Sequence, residues 1–492
     1  LVNEIWRHMG SAPVLIVGAG VAGLTAARCL ARRQQPFRVL ERQTPGLAFD
    51  RGLGIWGRSQ VALRKLGLAY LLDCPERVAR IPAAAYRSHD GQWLSQCTDT
   101  PHNRQRVCTL RQSDLLTALE AELPDGSVQR GVDVVAVTQH STGVKLSLKD
   151  GTSMDGVAVL GADGVNSTVR RLAFPGDMAP LDTGYVSNGG LLLPPSPGAL
   201  DALFAAGGSR YAFETLAAGR RFAAVPLASG GCFWFATRPM AANTADGEGS
   251  NAAGLGALRD AYADWHEPIP RILHAAACAT AEAAMTHGKD GEHGQTGSGS
   301  MAAAAAFRSE RVMMAPRLEQ WWEGRVVLVG DAAHALPINL AQGASAAIEG
   351  AYLLGNLLGE SSAVGEWSSS SFGSSDADAT YGDHAAEPLA RAFAAYQAAH
   401  EPRVRQCRLA TLFTAALALP ASSPTEQLRN AMRFVPQPCV PASSHSSAPL
   451  MQCPRGPCHA SPRHHPPSQP TPLHTTPSQS TATSSIWRSS SL

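Results

Sequence analysis

The segment of residues 14–41 constrains the fold of this chain more than any other. Four apolar residues, Val14 to Val17, are bounded by glycine, which is typical of a buried parallel strand. A Gly-x-Gly-x-x-Gly loop follows, then a run of helix formers up to Arg33, then a second apolar strand that ends in Glu41. This order predicts a Rossmann-like βαβ unit that binds a dinucleotide.

The three glycines of this loop have separate predicted roles. Gly18 permits the tight turn, Gly20 lets a pyrophosphate approach the backbone, and Gly23 lets the helix pack against the strand. The helix N-terminus presents N–H groups and the positive end of its dipole to the phosphates. Glu41 is expected to accept hydrogen bonds from ribose hydroxyls, and its neighbour Arg42 is a further candidate for the cofactor site. The motif does not distinguish FAD from NAD.

Composition narrows the possible partners. The net charge of +1 gives no electrostatic case for binding nucleic acid. No apolar run reaches the roughly 18 residues that span a bilayer, so we expect no transmembrane segment. The ten cysteines show no disulfide-like spacing, which favours a reducing compartment such as the cytoplasm or an organelle stroma. The sequence starts at Leu1 rather than at methionine, so a targeting signal is neither predicted nor excluded.

A glycine-rich stretch and two short helical patterns follow the first motif. Residues 52–55 predict a glycine-rich loop. The spacing of the next apolar residues predicts a short helix that glycine ends. These residues are Val61, Leu63, Leu66 and Leu68. Ser113 is predicted to cap a further helix, and Arg111 lies just before that cap.

Paired strands and a ligand-binding turn are predicted next. Alternating apolar residues in the segment 132–150 predict an antiparallel pair, and residues 157–160 predict a buried strand. That strand runs into Asp163 and Gly164, at the carboxyl end where open α/β sheets bind ligands. The alternative interpretation is that Asp163 only shapes the turn. Ser167 is predicted to cap a short helix that carries two arginines.

The composition changes twice along the rest of the chain. Residues 184–239 are rich in aromatic and branched residues with glycine turns, which predicts an antiparallel sheet inserted into the first domain. Three other segments have low complexity, and we predict that they form no core. These segments are residues 275–306, the Ser-rich residues 361–380, and a disordered tail at residues 436–492.

Two smaller predictions concern these segments. Within residues 241–306, only residues 255–273 have the apolar spacing of a helix. Cys453 and Cys458 lie near histidines in the tail, but their spacing is not that of a zinc finger. We therefore predict no metal site.

The most specific pattern lies in residues 324–350. An apolar strand at residues 325–329 ends in a Gly-Asp pair, which places a carboxylate where it can accept a hydrogen bond from a sugar-like hydroxyl. A Gln-Gly-Ala turn then opens a helix whose N-terminus can face an anion or a polarised ring oxygen. The candidate site residues of this stretch are Gly330, Asp331, Pro337, Gln342, Gly343 and Ala344.

Together these motifs resemble those of the single-component FAD-dependent monooxygenases, the p-hydroxybenzoate hydroxylase-like group. The glycine loop, Asp163-Gly164 and Gly330-Asp331 occur in the order of that family. The resemblance covers residues 12–405 apart from two insertions, and residues 220–227 look like the family's strand beside the substrate. The turn at residues 341–344 is most similar to salicylate hydroxylase-like enzymes, with zeaxanthin epoxidase as another near relative. One departure is Gly350, because the family commonly has an acid there.

The resemblance implies a role for each candidate residue. Glu41 would hold the adenosine ribose, and Arg111 would contact the pyrophosphate region. Asp331 would bind the ribityl chain, and Asp163 would serve both FAD and NAD(P)H. Residues 343–344 would direct backbone N–H groups at the flavin pyrimidine, where they would stabilise negative charge during reduction.

The resemblance also implies a fold and an activity. The fold is α/β: a Rossmann-like FAD-binding domain at residues 12–180 and 311–420, with an inserted antiparallel β-sheet substrate domain at residues 181–310. The activity is a monooxygenase that uses NAD(P)H and O2 to hydroxylate an aromatic or related small molecule through a flavin hydroperoxide. No catalytic base can be assigned, because the family's pocket residues come from the variable sheet.

Two other functions stay open at this point. One is epoxidation of an isoprenoid or carotenoid by the same chemistry, with peripheral membrane contact through residues 409–419. The other is a degenerate FAD-binding protein without catalytic activity.

Overall fold

The computed structural model describes residues 12–44, 50–81, 84–96, 107–176, 178–193, 212–217, 219–240, 248–249, 252–287, 307–360 and 387–417. All of them belong to one compact unit, Leu1–Cys439. A second unit, Val440–Leu492, lies outside the described residues. The predicted Ser-rich insertion, the predicted tail and the cysteines Cys453 and Cys458 also lie outside them.

The described chain has a mixed α/β fold. Its strands are β1 (Val14–Val17), β2 (Phe37–Glu41), β3 (Gly52–Trp56), β4 (Ala79–Arg80), β5 (Ala84–Ser88), β6 (Trp93–Gln96), β7 (Val107–Arg111), β8 (Val128–Arg130), β9 (Val134–His140), β10 (Gly143–Leu148), β11 (Ser153–Gly156), β12 (Ala158–Gly161), β13 (Leu181–Leu192), β14 (Ala212–Ala217), β15 (Arg220–Pro226), β16 (Cys232–Pro239), β17 (Glu248–Gly249), β18 (Arg308–Met314), β19 (Trp322–Glu323) and β20 (Val326–Leu328). Its α-helices are α1 (Val21–Arg32), α2 (Gly57–Lys65), α3 (Ala69–Leu72), α4 (Gln112–Glu120), α5 (Thr168–Ala173), α6 (Ala252–Ala261), α7 (Ile269–His287), α8 (Asp331–His334), α9 (Gly343–Glu360) and α10 (Glu387–Leu417).

A six-stranded sheet lies at the centre of the first core. Its spatial order is β19-β20-β12-β1-β2-β8. All neighbours pair in parallel except β19, which is antiparallel to β20. The predicted strands around residues 14–17, 157–160 and 325–329 are confirmed, and their apolar side chains are buried. The helices α1 and α9 pack against each other, and α10 packs against α9.

A second, eight-stranded sheet has the order β17-β18-β13-β16-β15-β14-β5-β6. It is antiparallel except between β14 and β5. The predicted antiparallel sheet in residues 184–239 is confirmed, and strands from residues 84–96, 248–249 and 308–314 also join it. The helices α6 and α7 cover one face, and their apolar side chains form a second core with that face.

Residues 52–55 correct a prediction. They form the strand β3, which pairs with β7, and not the expected loop. A Cβ on Gly52 would lie 2.6 Å from the Cβ of Phe233. Glycine therefore allows β3 to pack closely against the eight-stranded sheet, and it does not mark a turn here.

Helices α6 and α7 correct two further predictions. The expected helix over residues 255–273 is interrupted between Ala261 and Ile269, where Pro268 cannot donate a backbone hydrogen bond. Helix α7 then continues to His287, so the first part of the expected low-complexity segment 275–306 is helical. The physical reason is the high helix propensity of its alanines.

Gly350, the departure from the family pattern, has a packing role. A Cβ at this position would lie 2.8 Å from Nε2 of His400 and 3.4 Å from the ring of Tyr396. Its absence lets α10 lie close against α9. Among the described helices, none is both long enough and apolar enough to cross a membrane.

Candidate active site

Three of the predicted motifs follow adjacent parallel strands. The glycine loop follows β1, Asp163 follows β12, and Asp331 follows β20. Because these strands are parallel, their carboxyl ends lie at one edge of the sheet. A Cβ on Gly18 would lie 3.0 Å from Cα of Asp163, and a Cβ on Gly330 would lie 2.8 Å from Cβ of Ala22. The fold therefore brings the three motifs together.

The glycines of the first loop differ in their surroundings. Gly18 has a φ of +106°, which disfavours other residues. A Cβ on Gly23 would lie 1.9 Å from the carbonyl oxygen of Gly18, so helix and loop are in close contact. Gly20 has no described atom within 4 Å of its Cβ position. As the N-cap residue it also gives α1 no side-chain cap, so the first N–H groups of this helix have no such partner among the described residues.

Glu41 reaches from the end of β2 to the glycine loop. Its Oε2 accepts a hydrogen bond of 2.7 Å from the backbone N–H of Ala19, and its Oε1 accepts one of 2.7 Å from Gln43. Each carboxylate oxygen keeps a further acceptor site. Arg42 lies next to it and is exposed. The structure thus places Glu41 at the loop, as expected for a residue that meets the ribose.

Asp50 joins Arg111 to the start of α4. The guanidinium of Arg111 lies 2.8 Å from Oδ2 of Asp50. The backbone N–H and the hydroxyl of Ser113 donate to Asp50 at 3.0 and 2.8 Å. The prediction that Ser113 caps this helix is therefore wrong. Arg111 is the N-cap residue, and the distant carboxylate of Asp50 satisfies the first turn.

Asp163 holds the N-terminus of α5. Its carboxylate accepts hydrogen bonds from the hydroxyl of Ser167 at 2.5 Å and from the backbone N–H groups of Thr168 and Val169 at 2.7 and 3.0 Å. Ser167 is the N-cap, as predicted, and accepts from the N–H of Arg170 at 2.9 Å. The carboxylate of Asp163 is thus engaged in the turn itself.

Arg170 ties this turn to the third motif. Its buried guanidinium donates to the carbonyl of Ala332 at 2.7 Å and to that of Val165 at 2.6 Å. Burial lowers its pKa, and the nearby carboxylate of Asp163 opposes that effect. A single side chain therefore fixes the distance between the Asp163 turn and α8.

Asp331 follows β20 at the carboxyl edge of the six-stranded sheet. It begins α8 and is exposed to solvent. Desolvation by the surrounding protein nevertheless raises the pKa of its carboxyl, and the charge of Arg51 opposes that shift. The carboxylate is accessible at this sheet edge, where a ligand hydroxyl could replace water.

The turn between Pro337 and α9 is strained and held from one side by β3. Ala341 has a left-handed backbone with φ of +49°. Its carbonyl accepts from the indole Nε1 of Trp56 at 3.3 Å. The hydroxyl of Ser345 accepts from the backbone N–H of Trp56 at 3.0 Å and donates to the carbonyl of Gly54 at 3.1 Å. These contacts fix the start of α9.

The same turn is held from the other side by α10. The thiol of Cys407 donates to Oε1 of the buried Gln342 at 2.9 Å. Arg403 lies 2.7 Å from that sulfur through Nη1, and its Nε lies 3.3 Å from Oε2 of Glu349. Gly343, which begins α9, has no described atom within 4 Å of its Cβ position. The described chain therefore leaves room beside the first residue of α9.

These surroundings fit FAD. A glycine lies at the N-terminus of each of the helices α1 and α9, and its missing side chain leaves room for a ligand. Both helices pack together behind the carboxyl edge of one sheet. An acceptor, Glu41, lies at the first opening, and another, Asp331, lies near the second. This spacing of anion-favouring helix ends and hydroxyl acceptors suits a ligand with a pyrophosphate centre and sugar-like chains.

Several contacts of the site were missed by the sequence analysis. Two of them, Asp50 and Trp56, belong to no predicted motif, and Ser345 was not a candidate residue; each contacts a segment far away in the sequence. For Ser345 a signal existed, because it directly follows the Gln-Gly-Ala turn. No cluster of three or more potential metal ligands occurs in the described ranges.

The fold and the three motifs at its sheet edge are those of an FAD-binding protein. The family model described as FAD binding domain matches residues 11–182 and 294–369, and the chain belongs to this family of FAD-dependent aromatic hydroxylases. It is accordingly an FAD-binding oxidoreductase of the monooxygenase type.

Two curated relatives and one solved structure illustrate the likeness. The chain is 26% identical over 348 residues to the aurachin C monooxygenase/isomerase of Stigmatella aurantiaca, which covers 70% of this chain and 80% of the relative. It is 29% identical over 344 residues to the 3-amino-4-hydroxybenzoate 2-monooxygenase of Streptomyces cremeus, covering 68% and 76%. The Klebsiella pneumoniae HpxO structure with FAD and uric acid matches with a TM-score of 0.65 at 19% identity, covering 86% of this chain and 93% of that one.

Proposed function

We propose that this chain uses NAD(P)H and O2 to hydroxylate an aromatic or related small molecule. Residues 12–180 and 311–420 would form the FAD-binding domain, and the sheet within residues 181–310 would form the substrate side. The observation that carries the proposal is the meeting of three motifs at one sheet edge, together with two helices that begin at glycines with empty Cβ positions.

The proposed cofactor contacts follow from the positions of the residues. The N–H groups at Gly20 would face the pyrophosphate, and Glu41 would accept from the adenosine ribose with the acceptor sites that Ala19 and Gln43 leave free. Asp331 would accept from a ribityl hydroxyl. When bound, FAD would supply the hydride and oxygen chemistry.

The turn before α9 would act on the flavin ring. The N–H groups of residues 343–344 would point at the pyrimidine oxygen, where negative charge develops on reduction. Because Trp56, Ser345 and Cys407 already hold this turn, the donors would need little rearrangement. A donor that is fixed beforehand stabilises charge better than one that must reorient.

A role for Asp163 with NAD(P)H belongs to the same proposal. Its carboxylate already accepts three hydrogen bonds within the turn. We therefore propose that Asp163 acts by holding the turn near the flavin. Arg111, paired with Asp50, would hold the neighbouring edge in the same way.

The test is a screen of the purified, FAD-loaded protein with NADH and NADPH over phenols and isoprenoids. Substrate-dependent consumption of the nicotinamide with transfer of one labelled oxygen atom from 18O2 into the product is expected. Label that arrives from H218O instead would contradict the proposal. A protein that binds FAD but oxidises neither nicotinamide with any compound would also contradict it.

Epoxidation of an isoprenoid is a second candidate. It is favoured by two leucines on α10, Leu409 and Leu412, whose exposed fractions are 61% and 42%. Exposed leucines of this kind suit contact with a membrane that holds an apolar substrate. An epoxide product in the same screen would select this candidate over ring hydroxylation.

A further inference from the structure

The eight-stranded sheet carries a buried ion pair on the face opposite its helices. Along β15, Phe222 and Ala224 pack into the apolar core under α6 and α7. Side chains alternate between faces along a strand, so Arg221 points the other way. Glu214 lies opposite Ala223 in the β14–β15 register and therefore shares the face of Arg221.

This second face is the one that meets the candidate active site. Phe233 belongs to it, because it pairs with Val225, and β3 packs directly on Phe233 at Gly52. Next to Gly52, Arg51 lies 3.5 Å from Glu310 of β18. The positive charge of Arg51 also lowers the pKa of the Asp331 carboxyl, against the larger upward shift caused by desolvation. A ligand held between this sheet and Asp331 would therefore meet the face that carries Glu214 and Arg221.

Two hydrogen bonds join the side chains of the pair. Both Nε and Nη2 of Arg221 donate to Oε1 of Glu214. The exposed fractions of the two side chains are 4% for Arg221 and 13% for Glu214. Tyr86 lies opposite Glu214 in the β14–β5 register. Burial, and then the charge of Glu214, raises the pKa of Tyr86, so its hydroxyl stays protonated. Burial also raises the pKa of Glu214, and the charge and hydrogen bonds of Arg221 oppose that shift. The described group is thus a guanidinium–carboxylate pair beside a neutral hydroxyl.

The charges of Glu214 and Arg221 would decide which ring substituents a bound aromatic ligand can carry. A buried guanidinium without a partner would attract an aromatic carboxylate through a charge-assisted pair. Glu214 already supplies that carboxylate. A second carboxylate beside it would meet like-charge repulsion in a desolvated site.

We propose that Glu214 and Arg221 form a charge-balanced specificity pair that selects an uncharged aromatic substrate, such as a phenol or an aromatic amide, against an aromatic carboxylate. This inference rests on the proposed function. Membership of the family does not decide the matter, because one relative is named for a hydroxybenzoate, which is a carboxylate.

The test uses three ligands of nearly equal shape: neutral benzamide, anionic benzoate and cationic benzamidine. Their affinities for the FAD-loaded protein are measured by calorimetric titration, which needs no turnover. The variants are Glu214→Gln and Arg221→Gln, and both together. The control, Asp155→Asn, removes a carboxylate from the exposed cross-strand pair with Lys145.

The parent should bind benzamide at least about tenfold more tightly than benzoate. Glu214→Gln should raise benzoate affinity by about tenfold or more, and the double variant should lose that gain. Asp155→Asn should behave like the parent. If Glu214→Gln does not fold, Arg221→Gln gives the mirror test, in which benzamidine affinity should rise.

Two results would overturn the pair's role. One is a parent that binds benzoate as tightly as benzamide. The other is an unchanged benzoate affinity in folded Glu214→Gln or, where that variant does not fold, an unchanged benzamidine affinity in Arg221→Gln. Flavin absorbance and nicotinamide oxidation are recorded on the same samples. Failure of the pair would leave both intact, whereas failure of the proposed function would abolish nicotinamide oxidation in the parent.

Discussion

The two helix N-termini at the sheet edge are held in different ways. The turn before α1 depends on residues of one short motif, chiefly Gly18 and Gly23, whose missing side chains let loop and helix touch. The turn before α9 contains the left-handed Ala341 and is held by Trp56 from one side and Cys407 from the other. The first turn is specified locally, and the second depends on tertiary contacts. We therefore expect different substitutions to disrupt each turn.

The largest effect is expected at Gly23. Gly23→Ala would place a Cβ 1.9 Å from the carbonyl oxygen of Gly18. Such overpacking should lower the free energy of unfolding of the apoprotein by about 3 kcal/mol or more. Gly20→Ala is the matched control, since its Cβ meets open space, and it should cost about 1 kcal/mol or less. Equal urea midpoints for parent and Gly23→Ala would show that the loop relaxes freely.

Low pH should lower the free energy of unfolding through two buried histidines near α9. Burial lowers the pKa of His334 to about 3 and that of His400 to about 4, below the ordinary 6.5. The unfolded chain binds protons first, so stability is fully present above pH 6.5 and falls as the pH drops toward 4. Each histidine contributes a slope of up to about 1.4 kcal/mol per pH unit.

The check is urea unfolding between pH 7 and pH 5 for the parent and for His400→Phe. The variant should show a shallower loss, because one buried titrating group is gone. His140→Phe, at an exposed position, serves as the control and should keep the parental slope. Identical slopes in all three proteins would contradict the assignment.

Two aspartates at the edge should separate cofactor binding from folding. Asp163→Ala should lower the stability of the apoprotein by about 1–2 kcal/mol, because it removes the carboxylate that holds α5. Asp331→Ala should leave that stability nearly unchanged but weaken FAD binding by about 1.5–3 kcal/mol. Thermal unfolding of the apoproteins and fluorescence titration with FAD provide the two readouts. A stable Asp163→Ala with weakened FAD binding, together with an unstable Asp331→Ala that binds FAD as the parent does, would refute both assigned roles.

The smallest effect is expected at Cys407. A thiol is a weak donor, so Cys407→Ala should cost about 1 kcal/mol of stability and a few-fold in FAD affinity. Cys407→Ser keeps a donor to Gln342 and should recover most of the FAD affinity. Cys278→Ala is the exposed control. If serine and alanine at residue 407 behave alike, Cys407 contributes packing alone.

The sequence predicts the locally specified segments of this molecule better than the segments that depend on tertiary contacts. The strands at residues 14–17 and 325–329, the Asp163 turn and the cap at Ser167 are confirmed, because each is encoded within a few residues. The loop predicted at residues 52–55 was wrong, since those glycines serve a contact with Phe233 that no local pattern reveals.

The helix around α7 shows the same limit. Its run of alanines predicts a low-complexity segment, but alanine favours helix. Ile272 and Leu273 also anchor this helix against the second sheet. The cap of α4 by Asp50 and the pair of Glu214 with Arg221 depend on distant partners. Such contacts need the fold before they can be assigned.

The most direct measurement of the central claim is a calorimetric titration of the apoprotein with FAD and with ADP. ADP carries only the half of the ligand that would meet Gly20 and Glu41. We predict that Gly20→Ala weakens both ligands, whereas Asp331→Ala weakens FAD by about tenfold or more and leaves ADP unchanged. A loss of ADP affinity in Asp331→Ala as large as the loss for FAD, or unchanged ADP binding in Gly20→Ala, would contradict the proposed placement of FAD along the sheet edge.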